Sequence, residues 1–232
     1  MIPSAAPSSS PGPIDAKRLS AVARSMYTDG QFVRNKLQHW RPYICPFEEL
    51  VGYVKDGSRV LDIGCGAGLL LSLLSGIGRE FEGVGFDVSP AAIDAANQMA
   101  GRAASICPQA KLAFHCLDFD AAWPAGEFDV VFLIDVLHHV PPASQRAFLE
   151  RVISKVRRNG ILVYKDMCRR PWWKANANRL HDLVIARELI SYVPVATVEQ
   201  WSGAQGMEVI AREEMTRFWY GHELRVMKFR VS

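Results

Sequence analysis

The residues best placed for chemistry are carboxylates and glycines that follow apolar segments. Asp62 closes the run Val60-Leu61-Asp62, and glycines then recur at positions 64, 66 and 68. Because glycine tolerates positive φ and carries no side chain, such a turn lets a ligand approach the backbone closely. The leucine-rich helix start that follows, 69–74, offers unpaired N–H groups. The segment is therefore predicted to be a strand, a tight ligand-binding turn and a helix N-terminus.

Further acids follow the next two apolar segments. Asp87 ends Gly85-Phe86-Asp87, about 20 residues after the glycine turn, where an acid can accept hydrogen bonds from both hydroxyls of a ribose. Val88 would then line the face of the base. Asp118 follows the next apolar segment, and Asp120 competes with it for the same role, so the register there is open by two residues.

Two adjacent histidines follow the most apolar run of the chain. Phe128–Ile134 is continuously apolar apart from Asp129, as expected for a buried central parallel strand, and His138-His139 comes four residues later. Histidine titrates near neutral pH, so His138 or His139 is a candidate general base. The alternative is that one of them only packs near a cofactor.

These residues need a scaffold in which strands and helices alternate. Strands are predicted at 59–62, 83–86, 111–115, 128–134 and 161–164, and helices at 16–28, 31–53, 68–74, 89–102, 143–157, 172–190 and 197–205. Two final strands, 207–215 and 223–231, are predicted to pair antiparallel across a connection that contains Gly221. The pattern predicts an α/β fold with helices on both faces of a mostly parallel sheet, and ligands beyond the carboxyl ends of its strands.

Taken in order, these motifs resemble class I S-adenosylmethionine-dependent methyltransferases. The resemblance is carried by Asp-x-Gly-x-Gly-x-Gly at 62–68, by Asp87 and Asp118, and by Phe-Asp-Val-Val and Val-Leu-His-His in 128–139. It covers about residues 59–166 and implies a Rossmann-like sheet of seven strands with a reversed last strand. It also implies that the chain is an enzyme that binds S-adenosylmethionine.

The resemblance implies a role for each matching residue. Asp62 would receive the cationic amino group of the methionine part of the cofactor, with the carbonyls near Ile134 and Asp135 accepting from the same group. Asp118 would bond the adenine amine while Phe119 packs on the purine. The backbone that approaches the cofactor is that of Gly64, Cys65, Gly66 and Gly68.

The sequence says less about the methyl acceptor than about the cofactor. Residues 134–137 lack the Asp/Asn-Pro-Pro-aromatic motif of methyltransferases that act on amino groups of nucleic acids, and the net charge of +3 is small, so no nucleic acid partner is expected. Helices 16–53 and 172–190 are predicted to cover the site of a single domain, 16–232, as a largely apolar lid. These features favour a small hydrophobic acceptor methylated at oxygen, nitrogen or carbon.

The remaining composition sets limits. Five scattered cysteines form no C-x-x-C pair, so reduced thiols and no metal site are expected. Residues 1–15, rich in Pro, Ser and Ala, are predicted to be a disordered tail, and no segment is apolar enough to span a membrane. A cytoplasmic protein is expected, of undetermined oligomeric state. Two alternatives are a nicotinamide-dependent oxidoreductase and a methyltransferase-like partner protein without catalytic activity.

Overall fold

One mixed sheet organises the part of the chain that the structure describes. The structure, a computed structural model, describes residues 14–28, 32–167, 191–217 and 220–230. Within these ranges seven strands form one sheet in the order β3-β2-β1-β4-β5-β7-β6. The strands are β1 Arg59–Ile63, β2 Glu82–Asp87, β3 Lys111–Cys116, β4 Phe128–Ile134, β5 Val156–Met167, β6 Met207–Arg217 and β7 Tyr220–Phe229.

The direction of the strands agrees with the predicted fold class. Strands β1 to β5 pair in parallel with their neighbours, whereas β7 is antiparallel to both β5 and β6. The Rossmann-like sheet with one reversed strand is therefore confirmed. Gly221 lies inside β7, where it pairs with Thr216, so its prediction as part of the connection was wrong.

Helices cover both faces of the sheet in the described ranges. They are α1 Ala16–Met26, α2 Phe32–Ile44, α3 Phe47–Val51, α4 Leu69–Gly76, α5 Pro90–Ile106, α6 Gln145–Ile153 and α7 Val195–Ala204. One apolar core packs α1, α3, α4 and α5 on one face of the sheet. A second core, around Phe148, Trp123 and Val198, packs α6 and α7 on the other face. The two cores leave the carboxyl ends of β1, β2, β4 and β5 as the common edge for a site.

The predicted helix at 143–157 is too long. Helix α6 ends at Ile153, and Val156, which lies inside the predicted helix, already pairs with Phe128 as the first residue of β5. The Asn159-Gly160 pair marks an irregularity inside β5, where the register with β4 shifts. A Cβ on Gly160 would lie 2.8 Å from the Phe128 and Asp129 carbonyl oxygens, so only glycine fits this close backbone approach.

The predicted helix at 31–53 is two helices. Pro42 lies within α2, which continues to Ile44, and the break between the two helices comes at Cys45-Pro46. Proline lacks the N–H that would bond to the preceding turn, so it weakens α2 without ending it. Asp15, assigned to the predicted tail, is the N-cap of α1, where its carboxylate accepts a hydrogen bond from the Arg18 N–H at 2.7 Å.

Two predictions concern parts of the chain that are not described. The covering helix at 172–190 lies outside the described residues, as does nearly all of the predicted tail. None of the described helices is both long enough and apolar enough to cross a membrane.

Candidate active site

The glycine turn between β1 and α4 is shaped by glycine-specific backbone. Gly64, Gly66 and Gly68 all have positive φ, at 70°, 54° and 75°. The Gly64 and Cys65 N–H groups both donate to the Phe86 carbonyl, at 2.9 and 3.0 Å, which ties the turn to the end of β2. A Cβ on Gly66 would meet no atom within 4 Å. The turn therefore leaves open space directly above Gly66, as a closely approaching ligand requires.

Cys65 contributes backbone and packing to this turn. Its side chain is 9% exposed, and burial raises the pKa of the thiol well above its ordinary value. A thiol that stays protonated is a poor nucleophile. Cys65 is therefore placed in the turn as predicted, without a chemical role of its own.

Asp62, at the end of β1, is a buried carboxylate without a hydrogen-bond partner among the described residues. It is 4% exposed, and no hydrogen bond to either of its oxygens is found within these ranges. Burial raises its pKa from 3.8 to about 7, an effect that the Asp87 charge increases and the Arg41 charge partly offsets. A cationic group of a ligand would supply the partner that the protein does not.

Arg41, on α2, is a site residue that the sequence analysis missed. Its side chain is half-buried, and within the described residues its guanidinium makes no hydrogen bond or ion pair. Its charge lowers the pKa of Asp62 and of Asp135, so it is close enough to both carboxylates to act on them electrostatically. A buried acid and an arginine that acts on it, each without a hydrogen-bond partner among the described residues, fit a ligand that carries both an ammonium and a carboxylate group.

Asp87 joins the glycine turn to the start of α5. Its Oδ2 accepts from the Gly66 N–H and its Oδ1 from the Ser89 N–H, both at 2.9 Å. Each oxygen retains further acceptor capacity, so two ribose hydroxyls can still bond to it. Val88, the next residue, is 66% exposed beside this carboxylate. An aliphatic side chain exposed at the end of β2 suits the predicted contact with a base.

The choice between Asp118 and Asp120, the two acids after β3, stays open. Asp118 and Asp120 are both exposed, and Asp118 accepts from the Phe119 N–H through its own side chain. The Phe119 ring is stacked on Phe148 in the second apolar core, with centroids 5.3 Å apart. Bonding of Asp118 to an adenine amine and packing of Phe119 on a purine stay predictions.

The N-terminal helices reach the glycine turn through one tyrosine. Tyr27, directly after α1, is 3% exposed, and its hydroxyl donates to the Ala67 carbonyl at 2.8 Å. Trp40, by contrast, is 53% exposed on α2 and tilted against Tyr43. Tyr27 thus links the helices on this face of the sheet to the backbone of the site.

The two histidines after β4 have different surroundings. His138 is buried, and its Nδ1 lies 2.6 Å from Oδ1 of Asp166 at the end of β5. His139 is exposed, with its ring centroid 4.2 Å from that of His138. The Asp166 carboxylate also accepts from the Tyr164 hydroxyl at 3.3 Å and from the Met167 N–H at 2.7 Å. Of these two histidines, His138 is therefore the one oriented by a carboxylate among the described residues.

A second charged pair joins the same two strand ends. The Lys165 ammonium contacts both carboxylate oxygens of Asp135, at 2.8 and 2.7 Å, and the lysine side chain is 1% exposed. Burial alone would raise the pKa of Asp135, but the Lys165 charge outweighs it and holds that pKa below its ordinary value. Asp135 was predicted only through a backbone carbonyl, and Lys165 and Asp166 were not predicted as site residues. Lys165 and Asp166 lie near the end of β5, so the rule already applied to β1 through β4 would have found them if it had been extended to β5.

The described residues fit S-adenosylmethionine. The acids predicted at the ends of β1 and β2 lie at one edge of the sheet with the glycine turn, since Ile63 pairs with both Phe86 and Leu133. Ile134, half-buried at the end of β4, lies beside this turn. An unpartnered buried acid, an unpartnered arginine and open space over Gly66 match the amino group, the carboxylate and the close approach of that cofactor.

Comparison with known proteins agrees with this geometry. A family model described as a methyltransferase domain matches residues 32–212. A ubiquinone biosynthesis O-methyltransferase from Bradyrhizobium diazoefficiens is 30% identical over 168 residues, which are 72% of this chain and 58% of that protein. The chain therefore spans less than two thirds of the length of this curated relative.

Solved structures share the fold. Magnesium protoporphyrin IX methyltransferase from Synechocystis with bound SAH superposes with a TM-score of 0.64 at 21% identity, covering 90% of this chain and 93% of that one. An O-methyltransferase family 2 protein from Planctomyces limnophilus in complex with apigenin gives 0.65 at 16% identity, covering 91% and 62%. With the family match and the motifs in place, the chain belongs to the class I S-adenosylmethionine-dependent methyltransferases.

Proposed function

We propose that this protein transfers a methyl group from S-adenosylmethionine to a hydroxyl oxygen of a small, hydrophobic, ring-bearing acceptor. The observation that carries the choice of oxygen is His138, buried and held by Asp166 at 2.6 Å beyond β4. A hydroxyl must lose its proton to become an effective nucleophile near neutral pH, so oxygen is the acceptor atom that needs such a base. The relative named as an O-methyltransferase, 30% identical, supports the same choice.

Four residues are assigned to binding of the cofactor. Asp62 binds the amino group, Arg41 the carboxylate, Asp87 the ribose hydroxyls, and Val88 faces the adenine. The support for this assignment is that Asp62 and Arg41 have no hydrogen-bond partner among the described residues. The bound cofactor supplies a methyl group on a positively charged sulfur, which needs no further activation.

The chain contributes alignment and proton removal. In the proposed reaction the acceptor oxygen forms a bond to the methyl carbon as the carbon–sulfur bond breaks, and sulfur keeps that electron pair. The hydroxyl proton passes to the imidazole of His138, whose Nδ1 lies 2.6 Å from Asp166. Asp166 then stabilises the charged imidazole, because a carboxylate favours the protonated ring.

The class of acceptor follows from the surroundings of His138. The rings of His139 and Tyr192 lie 4.2 and 5.1 Å from its ring, centroid to centroid. Aromatic walls favour a flat or aromatic acceptor that stacks on them. Phenols and catechols that carry an apolar substituent combine such a ring with a hydroxyl of the required kind.

The test is turnover with a panel of phenols, catechols and matched anilines, with products identified by mass spectrometry and NMR. We expect O-methylated phenols or catechols. Asp166→Asn is expected to lower kcat about 10²- to 10⁴-fold and to leave the Kd of S-adenosylhomocysteine within about threefold of wild type. His115→Gln is the matched control, since that histidine is exposed on β3, three strands away from β4 in the sheet, and its kcat should stay near the wild-type value.

Four outcomes would contradict the proposal. N-methylation of the anilines alone would remove the need for a base and would move the acceptor atom to nitrogen. An unchanged kcat in the Asp166→Asn variant would exclude His138 as an oriented base. Tight binding of S-adenosylhomocysteine without turnover of any acceptor would favour the non-catalytic partner protein, and NADH binding in its place would favour the oxidoreductase.

A further inference from the structure

The residue directly after β4 has an unusual backbone. Asp135 has a φ of 55° and is the non-glycine residue with positive φ among the described residues. Side chains other than glycine disfavour this left-handed region, although aspartate enters it more readily than most. Something around Asp135 must therefore stabilise its conformation.

Lys165 contacts Asp135 in two ways. The Asp135 N–H donates to the Lys165 carbonyl at 2.8 Å, continuing the ladder between β4 and β5. The Lys165 ammonium contacts both Asp135 carboxylate oxygens, at 2.8 and 2.7 Å. Because both the backbone and the side chain of Asp135 are held by one residue, its orientation relative to β5 is fixed.

The surroundings of Lys165 make this pair necessary. The lysine is 1% exposed and points to the sheet face covered by the N-terminal helices, where Cys45 and His222 are close enough to be coupled to it electrostatically. The pKa of His222 is lowered to about 4, first by burial and then by the Lys165 charge, so this histidine is neutral and cannot replace Asp135. Asp135 is thus the main counter-charge of a buried ammonium.

The backbone at Asp135 affects the shape of the proposed cofactor site. The next residue, Val136, packs directly on the first glycine of the turn: a Cβ on Gly64 would lie 2.3 Å from Val136 Cγ2. A change of backbone at Asp135 would redirect Val136 and release Gly64. The conformation at 135 is therefore coupled to the shape of the turn that receives the cofactor.

We propose that Asp135 and Lys165 are a positioning pair: the lysine holds Asp135 in the left-handed conformation that seats Val136 on Gly64 and gives the cofactor site its shape. The proposal rests on the proposed function in that S-adenosylmethionine is the ligand of this turn. Neither residue is assigned to the acceptor. If Lys165 instead bound an anionic oxygen of the acceptor, backbone freedom at 135 would not matter.

The test compares two double variants that both remove the charged pair. Asp135→Gly with Lys165→Met allows positive φ without cost, whereas Asp135→Ala with Lys165→Met disfavours it. We expect the glycine double variant to bind S-adenosylhomocysteine within about threefold of wild type and the alanine double variant about tenfold more weakly. Calorimetry gives the affinities, and thermal melting verifies that both variants are folded.

A second readout needs no ligand. Hydrogen exchange of the 64–68 amides in the free variants should be faster in the alanine than in the glycine double variant. Equal affinities and equal exchange in the two doubles would overturn the positioning role. If wild-type protein binds no S-adenosylhomocysteine, the proposed function fails, whereas the exchange comparison still decides whether the pair shapes the turn.

Discussion

At the scale of single residues, Asp62 is a buried acid whose ionised form the fold disfavours. Its carboxylate is buried, and its pKa is raised from 3.8 to about 7, mainly by burial. In the free protein the folded state therefore keeps a proton on Asp62 that the unfolded state has already lost. Between about pH 4 and pH 7 this difference makes the folded state less stable as pH rises. Asp62 therefore serves cofactor binding at a cost in the stability of the free protein.

Replacing Asp62 by asparagine should expose this conflict. The variant has no group to ionise, so its unfolding free energy relative to wild type is expected to increase from pH 4 to pH 7, by at most about 4 kcal/mol. Urea unfolding at several pH values measures the difference. A difference between the two proteins that stays constant over this range would contradict the raised pKa.

The same raised pKa should make the affinity for the cofactor depend on pH. The cofactor ammonium favours ionised Asp62, so binding below about pH 7 must release a proton. Affinity should therefore fall by up to tenfold for each unit by which the pH is lowered. Calorimetry with S-adenosylhomocysteine in two buffers of different ionisation enthalpy counts that proton. In Asp62→Asn both the proton release and the slope should disappear, together with most of the affinity.

The sequence predicted only those site residues that a motif or the end of a strand identifies. Asp62 and Asp87 end strands within a recognisable motif, so their meeting at one edge follows from parallel topology alone. Arg41 could not be found in this way, because its role depends on how α2 lies over the sheet. The partner of His138 is Asp166, 28 residues away, and only the register of β4 with β5 brings them together.

At the scale of elements, the β1–α4 turn combines two kinds of glycine. The space beside Gly64 is occupied by Val136, with which a Cβ would collide, whereas Gly66 faces open space. A substitution at Gly64 therefore tests packing of the protein, and one at Gly66 tests room for the ligand.

Gly66→Ala should separate affinity from stability. The positive φ of 54° makes alanine cost about 1–2 kcal/mol of stability, and the methyl group would also occupy ligand space, so affinity for S-adenosylhomocysteine should fall at least tenfold. Gly57→Ala is the matched control: its φ is 81°, its Cβ is equally uncrowded, and it lies at the opposite, amino end of β1. An equal loss of affinity in both variants would show a general effect of backbone strain.

The fold itself was predicted well where apolar periodicity and turn residues agree. The parallel strands and the antiparallel β7 follow that pattern. Prediction failed at 154–160, because Val152 and Val156 have helical spacing and Asn159-Gly160 has the composition of a turn. The structure uses Gly160 instead to bring β5 close to the β4 backbone, a tertiary contact that local sequence does not encode.

At the scale of the whole molecule, the glycine turn at 64–68 contacts both the sheet and the N-terminal helices. The hydroxyl of Tyr27 bonds to Ala67 at 2.8 Å, so order in the turn should be transmitted to α1. Hydrogen exchange should therefore slow on S-adenosylhomocysteine binding both at 64–68 and at 19–27.

Tyr27→Phe should uncouple these two segments. Protection at 64–68 is expected to persist, because the ligand still contacts the turn, whereas protection at 19–27 should weaken. Tyr53→Phe is the control, since its hydroxyl bonds to Glu213 at 3.4 Å, on β6 and away from the turn. Unchanged protection of 19–27 in the Tyr27→Phe variant would show that the helices respond to the ligand by another route.

The place of β7 between β5 and β6 has a consequence for synthesis of the chain. Strand β6 leaves the ribosome first, yet its neighbour in the sheet is β7, which is made afterwards. Until β7 arrives, β6 has no ladder to join, and the edge of β5 stays open to other strands. The nascent chain can assemble β1 to β5 early, while completion of the sheet waits for its reversed strand to insert.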